Sequence, residues 1–565
     1  MRLGVFGSWA AVLALGTCLS LPASLSQAQA QAQAQAKRLV IGVSQYPTNF
    51  HPLFDAHVTR SYINGMTRRP LTTYNADWKL ICMLCVELPD LGKGTAEDVI
   101  TPSGKEGRAL TYRIDPQARW GDGVPITSKD VLFTWEIGRR NETGVTNFEL
   151  FRRIEDVRIV DDKTFTLVVD ERTCEYQGMN DLEILPAHIE AEAASDPANY
   201  RNRSLYERDT TNKGLWAGPY LVKSTQPGAS VLLERNPQWW GRSPEFDEIE
   251  IRAVENTAAL MANLLSGDID MIAGEVGLTL DQALSFEERA KDRFTFVYTP
   301  GLIYEHIDLN LDNPVLQDVR VRRALLHAID REALSQRLFA GRQPPAHGNV
   351  NPQDEVFFQD VPRYAYDPER AKALLGEAGF RPGPGGVRQN GDGEPLRLEF
   401  LTTAGNKTRE LVQQVLQSMW SQVGIQVQLR AEPPRVFFGE TLNKRSFQAM
   451  AMFAWISSPR NIPWTTLHSS MIPSEANGWG GQNYPGYASA EMDEILDRLK
   501  FECEPARNQA LWNRLQTLYA QDLPALPLYF RSNADILPPW LKGLRPTGHM
   551  EPSTLWVEEW SRQDG

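Results

Sequence analysis

Residues 396–429 place a strand, a helix and a strand in direct succession, and no other segment narrows the fold as much. Leu396, Leu398 and Phe400 alternate, as in a strand with one buried face. Leu411, Val412, Val415, Leu416, Met419, Trp420 and Val423 recur at helical spacing, and Gly424 stops the stripe. Ile425, Val427 and Leu429 then alternate again. Two strands joined through a helix are predicted to lie parallel, with the helix packed on one face of their sheet. The chain is therefore expected to be α/β.

The rest of the chain carries the same mixed pattern. Arg38 to Val43 reads as a buried first strand. An alternating strand is predicted from Leu110 to Trp120, ending in the turn Gly121-Asp122-Gly123. Thr127 stands three residues before Asp130, the spacing of a capping box, and a helix is expected from Val131 to Arg139. Thr164 to Val169 reads as a strand, and Asn256 as the cap of a helix closed by Gly267. Val321, Ala324, Leu325, Ala328 and Ile329 share one helical face. A last helix should run from Pro505 through Tyr519, followed by a strand from Leu526 to Phe530.

At 565 residues the length suits about three to four domains. The formal net charge of -13 argues against nonspecific nucleic-acid binding, which needs cations to neutralise phosphates. Aromatic residues are plentiful, with 15 Trp, 16 Tyr and 22 Phe, enough to spare some rings for a ligand site. The first 36 residues read as a signal peptide: Arg2, an apolar run from Trp9 to Leu21, and a Gln-Ala repeat offering several Ala-x-Ala cleavage sites. Export to the periplasm is expected, with a lipoprotein anchored at Cys18 as the alternative.

Catalytic and cofactor signatures do not emerge. There is no GxSxG elbow, HExxH, Walker A or GxGxxG after a strand, and the eight His are scattered. The Gly-rich run from Pro382 to Gly393 reads as loop and hairpin turn, since no helix start follows it. The expectation is a protein that is not an enzyme and has no cofactor or metal site, with an exported hydrolase as the alternative from another class. Cys82-x-x-Cys85 lacks the helix start of a redox motif. Either a local disulfide or two buried thiols would fit: export favours the bond, whereas a continuous strand would point the two sulfurs to opposite faces.

Several blocks, taken in order, resemble the extracytoplasmic solute-binding proteins of family 5, which serve peptide-type ABC importers. They are Leu110–Trp120 with Gly121–Thr127 and Asp130–Trp135; Ile184–His188; Gly218–Tyr220, Glu234–Pro237, Trp239-Trp240 and Leu265–Asp270; Asp318–Asp330; Tyr366–Pro368 with Glu377–Phe380; and Leu523-Pro524 through Phe530. The resemblance implies a two-lobed, periplasmic binding protein-like α/β fold of three domains, with ligand enclosed at the cleft between lobes. A discontinuous first lobe would comprise 37–75, 206–300 and 527–565. An inserted domain would span 76–205 and the second lobe 301–526, with crossings near Pro300 and Pro527. The implied protein is a monomer that captures a peptide or peptide-like solute and delivers it to an ABC permease and ATPase complex. An oligosaccharide, opine or metal chelate is the alternative ligand.

The resemblance also suggests site residues. In oligopeptide-binding members a Trp is followed three residues later by an Asp that pairs with the peptide's amino group. Here Trp455 is present, but Ser458 occupies the Asp position. The pocket is therefore expected to lack that anionic anchor. Further candidates by position are Tyr46 and Asn49 after the first strand, Tyr304 after the first crossing, Trp479, Asn483 and Tyr484 in a Gly-rich loop, and Tyr529 and Arg531 at the returning crossing.

Overall fold

The computed structural model describes residues 37–54, 57–146 and 148–563. The expected signal peptide and Cys18 lie outside these residues. Ten strands form one mixed sheet: β1 (Arg38–Val43), β2 (Tyr220–Gln226), β3 (Ser230–Arg235), β4 (Glu248–Ala253), β5 (Met271–Ile272), β6 (Thr295–Leu309), β7 (Arg397–Thr403), β8 (Gln426–Glu432), β9 (Met450–Ile456) and β10 (Ala525–Leu537). Their spatial order is β8-β7-β9-β6-β10-β5-β1-β4-β3-β2.

The segment that most constrained the fold forms as expected. Strands β7 and β8 pair in parallel from Arg397↔Gln426 to Thr403↔Glu432, joined by the helix Lys407–Ser421. Val412, Leu416 and Trp420 of that helix are buried, and the Trp420 indole donates to Leu325 O at 2.9 Å, fastening it to the helix Val319–His327. At the other end β1 pairs in parallel with β4, and β2, β3 and β4 run antiparallel.

Two long antiparallel strands, β6 and β10, traverse the middle of the sheet. Thr295–Pro300 pairs with Ser532–Leu537 on the first-lobe side, and Tyr304–Asp308 pairs with Ala525–Phe530 on the second-lobe side. Between them the register breaks, from Pro300 opposite Ser532 to Tyr304 opposite Phe530. Proline cannot donate to a ladder, so it belongs at such an irregularity. The peptide groups freed there find other partners: Leu302 N donates to Gly548 O at 2.9 Å, and Asn351 Nδ2 donates to Gly301 O at 2.7 Å. Sequence reasoning ended the last strand at Phe530; it continues to Leu537 because its second half pairs with the start of β6.

A separate four-stranded antiparallel sheet has the order Ala96–Ile100, Glu106–Arg113, Thr164–Val169, Ile154–Ile159. It shares one core with the first lobe, in which Tyr112 and Phe165 join Leu39, Tyr62 and Trp216. The strand expected from Leu110 to Trp120 begins earlier and stops at Arg113, because Asp115 accepts from Gln117 N in a turn at Pro116. The Thr127–Asp130 capping box is present, as are the Asn256 cap and the left-handed Gly267. Cys82 and Cys85 are bonded, with Cα atoms 5.0 Å apart. The strand Leu80–Cys82 ends at the first of them and the chain bends, so the opposite-face objection does not apply.

Candidate functional site

The site is built on the two-residue period of β6. Leu302, Tyr304, His306 and Asp308 line one cavity of about 130 Å³. Glu305 and Ile307, between them, face the other side of the sheet: Ile307 enters the second-lobe core, and Glu305 pairs with Arg409. β10 contributes Phe530 and Ala525, β9 ends in Trp455 and Ile456, and Trp512 and Tyr519 approach from the helix Pro505–Asp522. The walls are therefore largely aromatic. Tyr304 and His306 stack with centroids 5.0 Å apart, and Tyr304 OH lies 3.2 Å from Tyr519 OH.

Polar atoms without protein partners collect in this apolar cavity. His306 Nδ1 lies 3.2 Å from Tyr304 O, and Nε2 lies 3.2 Å from Asp308 Oδ1. A carbonyl oxygen only accepts, so Nδ1 is the donor in the first contact, while buried Nε2 makes no hydrogen bond among the described residues. Asp308 Oδ2 and Asn349 Oδ1 are buried, line the cavity and have no hydrogen-bond partner among the described residues. Burial raises the Asp308 carboxyl above its ordinary range, against the opposing pull of His306. A buried acceptor left unpaired costs about 1–3 kcal/mol, which a donor on an incoming ligand would recover.

A second, larger cavity of about 520 Å³ lies between the lobes. Tyr74 borders it on one side together with Arg153, Glu171, Glu175 and Tyr176 of the segment that carries the four-stranded sheet. Ser458–Ile462, Trp464 and Lys500 border it on the other, and Ser458 and Asn461 line both cavities.

The predicted site residues divide by strand face. Tyr304, Trp455 and Ser458 line the inner cavity. Tyr484 stacks behind Trp455, with centroids 5.8 Å apart, and burial raises its hydroxyl pKa. Asn483 is fully buried and organises the loop: Nδ2 donates to His468 O and Tyr487 O, and Oδ1 accepts from Tyr487 N. Trp479 is half-buried in the same loop, with φ 62° and its N–H on Ser474 O, away from either cavity. Tyr529 packs on Phe339 in the second-lobe core, and the Arg531 guanidinium pairs with Glu305. These last two lie on the opposite face from Phe530, so the inward residue of the returning strand is the one between them. Tyr46 packs edge-on against Phe50, and Asn49 accepts from Arg60 Nη1 at 3.1 Å; both sit in the first lobe outside the two cavities. His306, Asp308 and Phe530 escaped sequence reasoning, although counting by two from Tyr304 would have found the first pair.

A family description, the bacterial extracellular solute-binding proteins, family 5 (middle region), matches residues 95–473. The chain belongs to that family. This solute-binding protein is similar to the oligopeptide-binding protein AppA of Bacillus subtilis, 25% identical over 536 residues that cover 92% of this chain and 91% of the relative. OppA of Mycobacterium tuberculosis is 28% identical over 432 residues, covering 74% of this chain and 69% of that one. Among solved structures, an oligopeptide-binding protein of Thermus thermophilus, complexed with a pentapeptide, shares 30% identity at a TM-score of 0.67, covering 94% and 96% of the two chains. MppA, a murein tripeptide binding protein in its unliganded open form, superimposes at a TM-score of 0.74 with 16% identity over 94% and 98%, which establishes the shared fold. No helix among the described residues is long and apolar enough to cross a membrane.

Proposed function

We propose that this protein is the substrate-binding component of an ABC importer, closing around a peptide or peptide-like solute and delivering it to a permease and ATPase complex. The observation that carries the reading is the aromatic cavity at the crossing strands, with Asp308 Oδ2 unpaired on its wall. The peptide-binding names and bound peptides of its relatives support it. The proposed lobes are 37–75, 206–300 and 531–565 for the first, 76–205 for the inserted domain and 301–530 for the second; the crossing expected near Pro527 moves to Arg531 because Leu528 and Tyr529 pack in the second-lobe core. The break between Pro300 and Tyr304 serves as the hinge. Tyr304, Trp455, Ser458 and Asp308 contact the solute, which extends from the inner cavity into the interlobe space past Ser458 and Asn461. Closure is a population shift driven by contacts that exist only when both lobes touch the solute. The protein acts as a monomer in the periplasm after loss of residues up to about Ala36.

The test is mass spectrometry of solute copurifying with periplasmic protein, followed by calorimetric titration of pentapeptides into emptied protein. Trp455→Ala should weaken the best pentapeptide by about 2–4 kcal/mol if the ring covers it. A best pentapeptide that binds both proteins equally would remove Trp455 from the site. A copurified solute without amide bonds would overturn the peptide reading. N-terminal sequencing separates cleavage in the Gln-Ala repeat from a diacylglyceryl-modified Cys18.

A further inference from the structure

The two lobes are joined once more, by a covalent bond away from the crossing strands. Cys174 follows the inserted-sheet strand Thr164–Val169, and Met179, Leu182 and Ile184 just beyond it belong to the first-lobe core. Cys503 lies between the helices Ala490–Leu499 and Pro505–Asp522, whose Leu496, Trp512 and Leu515 form a core of the second lobe. The two cysteines, 329 residues apart in sequence, are disulfide-bonded with Cα atoms 5.1 Å apart. Noncovalent contacts surround the bond. Cys174 N donates to Lys500 O at 2.9 Å, Lys500 Nζ lies 4.0 Å from Glu171, and Arg460 Nη2 meets Glu175 at 2.8 Å. Glu171, Thr173, Glu175, Arg460 and Lys500 all border the interlobe cavity, so the bond stands at its rim.

Exposed ion pairs such as these are individually weak and separate when the lobes part. The disulfide does not. Its geometry holds Cα atoms within roughly 4.4–6.8 Å, so an intact bond lets the rim widen at this point by less than about 2 Å. A rotation at the Pro300–Tyr304 break that admits a solute must move these facing residues apart. We infer that Cys174–Cys503 is a redox latch. As a disulfide it holds the cleft closed on a captured solute; as a dithiol it leaves the lobes free to open. This rests on the two-lobe capture reading above.

The chemistry is thiol–disulfide exchange with an external dithiol, a small-molecule or protein reductant. One of its thiolates attacks a latch sulfur, and Cys503, the exposed member, is the accessible one. A mixed disulfide forms and the partner cysteine leaves as thiolate. The reductant's second thiol then resolves the mixed disulfide. Two electrons and two protons pass from the dithiol to the protein, which ends with two thiols while the reductant ends as a disulfide. Closure is the reverse, with a disulfide-bearing oxidoreductase as electron acceptor.

The experiment compares mature wild type, oxidised or treated with a phosphine reductant, with Cys174→Ser/Cys503→Ser. Cys82→Ser/Cys85→Ser serves as the control for reduction of the other bond. Opening is read without any solute, by small-angle scattering and by hydrogen exchange of residues 450–462. The reduced wild type and the latch variant should show a larger radius of gyration and exchange at least about tenfold faster there than the oxidised protein. The oxidised control pair should match oxidised wild type. Equal scattering and exchange in all forms would overturn the latch. Because no solute enters these readouts, a wrong ligand assignment would leave the result intact.

Discussion

Glu305 offers the sharpest test of how the binding strand is held. Its carboxylate is fully buried on the face of β6 opposite the cavity. It accepts from Arg409 Nε at 3.2 Å and Nη2 at 3.0 Å, and from Arg531 Nη2. Glu305→Gln keeps the volume and removes the charge. Arg531 is 34% exposed and can turn to water, so little of the cost falls there. Arg409 is 9% exposed and would keep only neutral acceptors, the new amide oxygen and Thr403 Oγ1 at 2.9 Å, with no counter-charge. Removing one partner of a buried pair costs about 3–5 kcal/mol, and with one stranded cation rather than two the expectation is the lower end, about 3 kcal/mol. Urea denaturation of the mature protein, followed by tryptophan fluorescence, reads it. Glu305→Gln/Arg409→Met should recover most of the loss, since it removes the stranded charge as well. A single variant within about 0.5 kcal/mol of wild type, beside a double variant much weaker than both, would refute the reasoning.

Asp308→Asn should cost about 1.5–3 kcal/mol in binding a pentapeptide with a lysine side chain, and almost nothing for its norleucine analogue; calorimetry showing that wild type prefers norleucine would end the argument. Ser458→Asp should raise preference for free-amine over N-acetylated pentapeptides by about 1.5–3 kcal/mol, whereas wild type should discriminate little; strong wild-type preference for the free amine would place another carboxylate at the ligand terminus. Burial, then repulsion from Asp181 and Glu183, pushes the Glu551 carboxyl up to about 8. Its raised value favours the protonated fold, so this contribution is complete below the unfolded value of about 4.5 and is lost as pH rises through about 8. Glu551→Gln should therefore flatten stability between those limits by about 2–4 kcal/mol, read as denaturation midpoints against pH; parallel wild-type and variant curves would contradict the assignment.

Local features of the fold were legible because local physics decides them. The βαβ unit, the Thr127–Asp130 box and the Gly267 cap each depend on residues within one or two turns of one another. The long strands were less legible. The crossing expected near Pro300 is a break in register, yet both strands resume in the same sheet because each pairs with the other on either side of it. That pairing joins residues more than 200 positions apart, and no window of sequence contains it. The bond between Cys174 and Cys503 has the same character: the spacing of two cysteines says nothing about which lobe surfaces face one another.

The site shows how a correct family and a correct strand can still yield a mixed residue list. At the two crossings both faces of each strand pass within a few residues. A strand sends neighbours to opposite faces, so choosing Tyr529 and Arg531 selects the core side and misses Phe530. On β6 the choice of Tyr304 set the parity, and the same parity brings His306 and Asp308 to the cavity while sending Glu305 to Arg409. Arg531 makes an ion pair with the chain's own carboxylate, Glu305, on the face away from the cavity. The cavity is left with the acid at position 308 rather than at 458. An acid on the central strand faces only a group that enters the inner cavity, which is why the lysine and norleucine pentapeptides are the comparison that tests it.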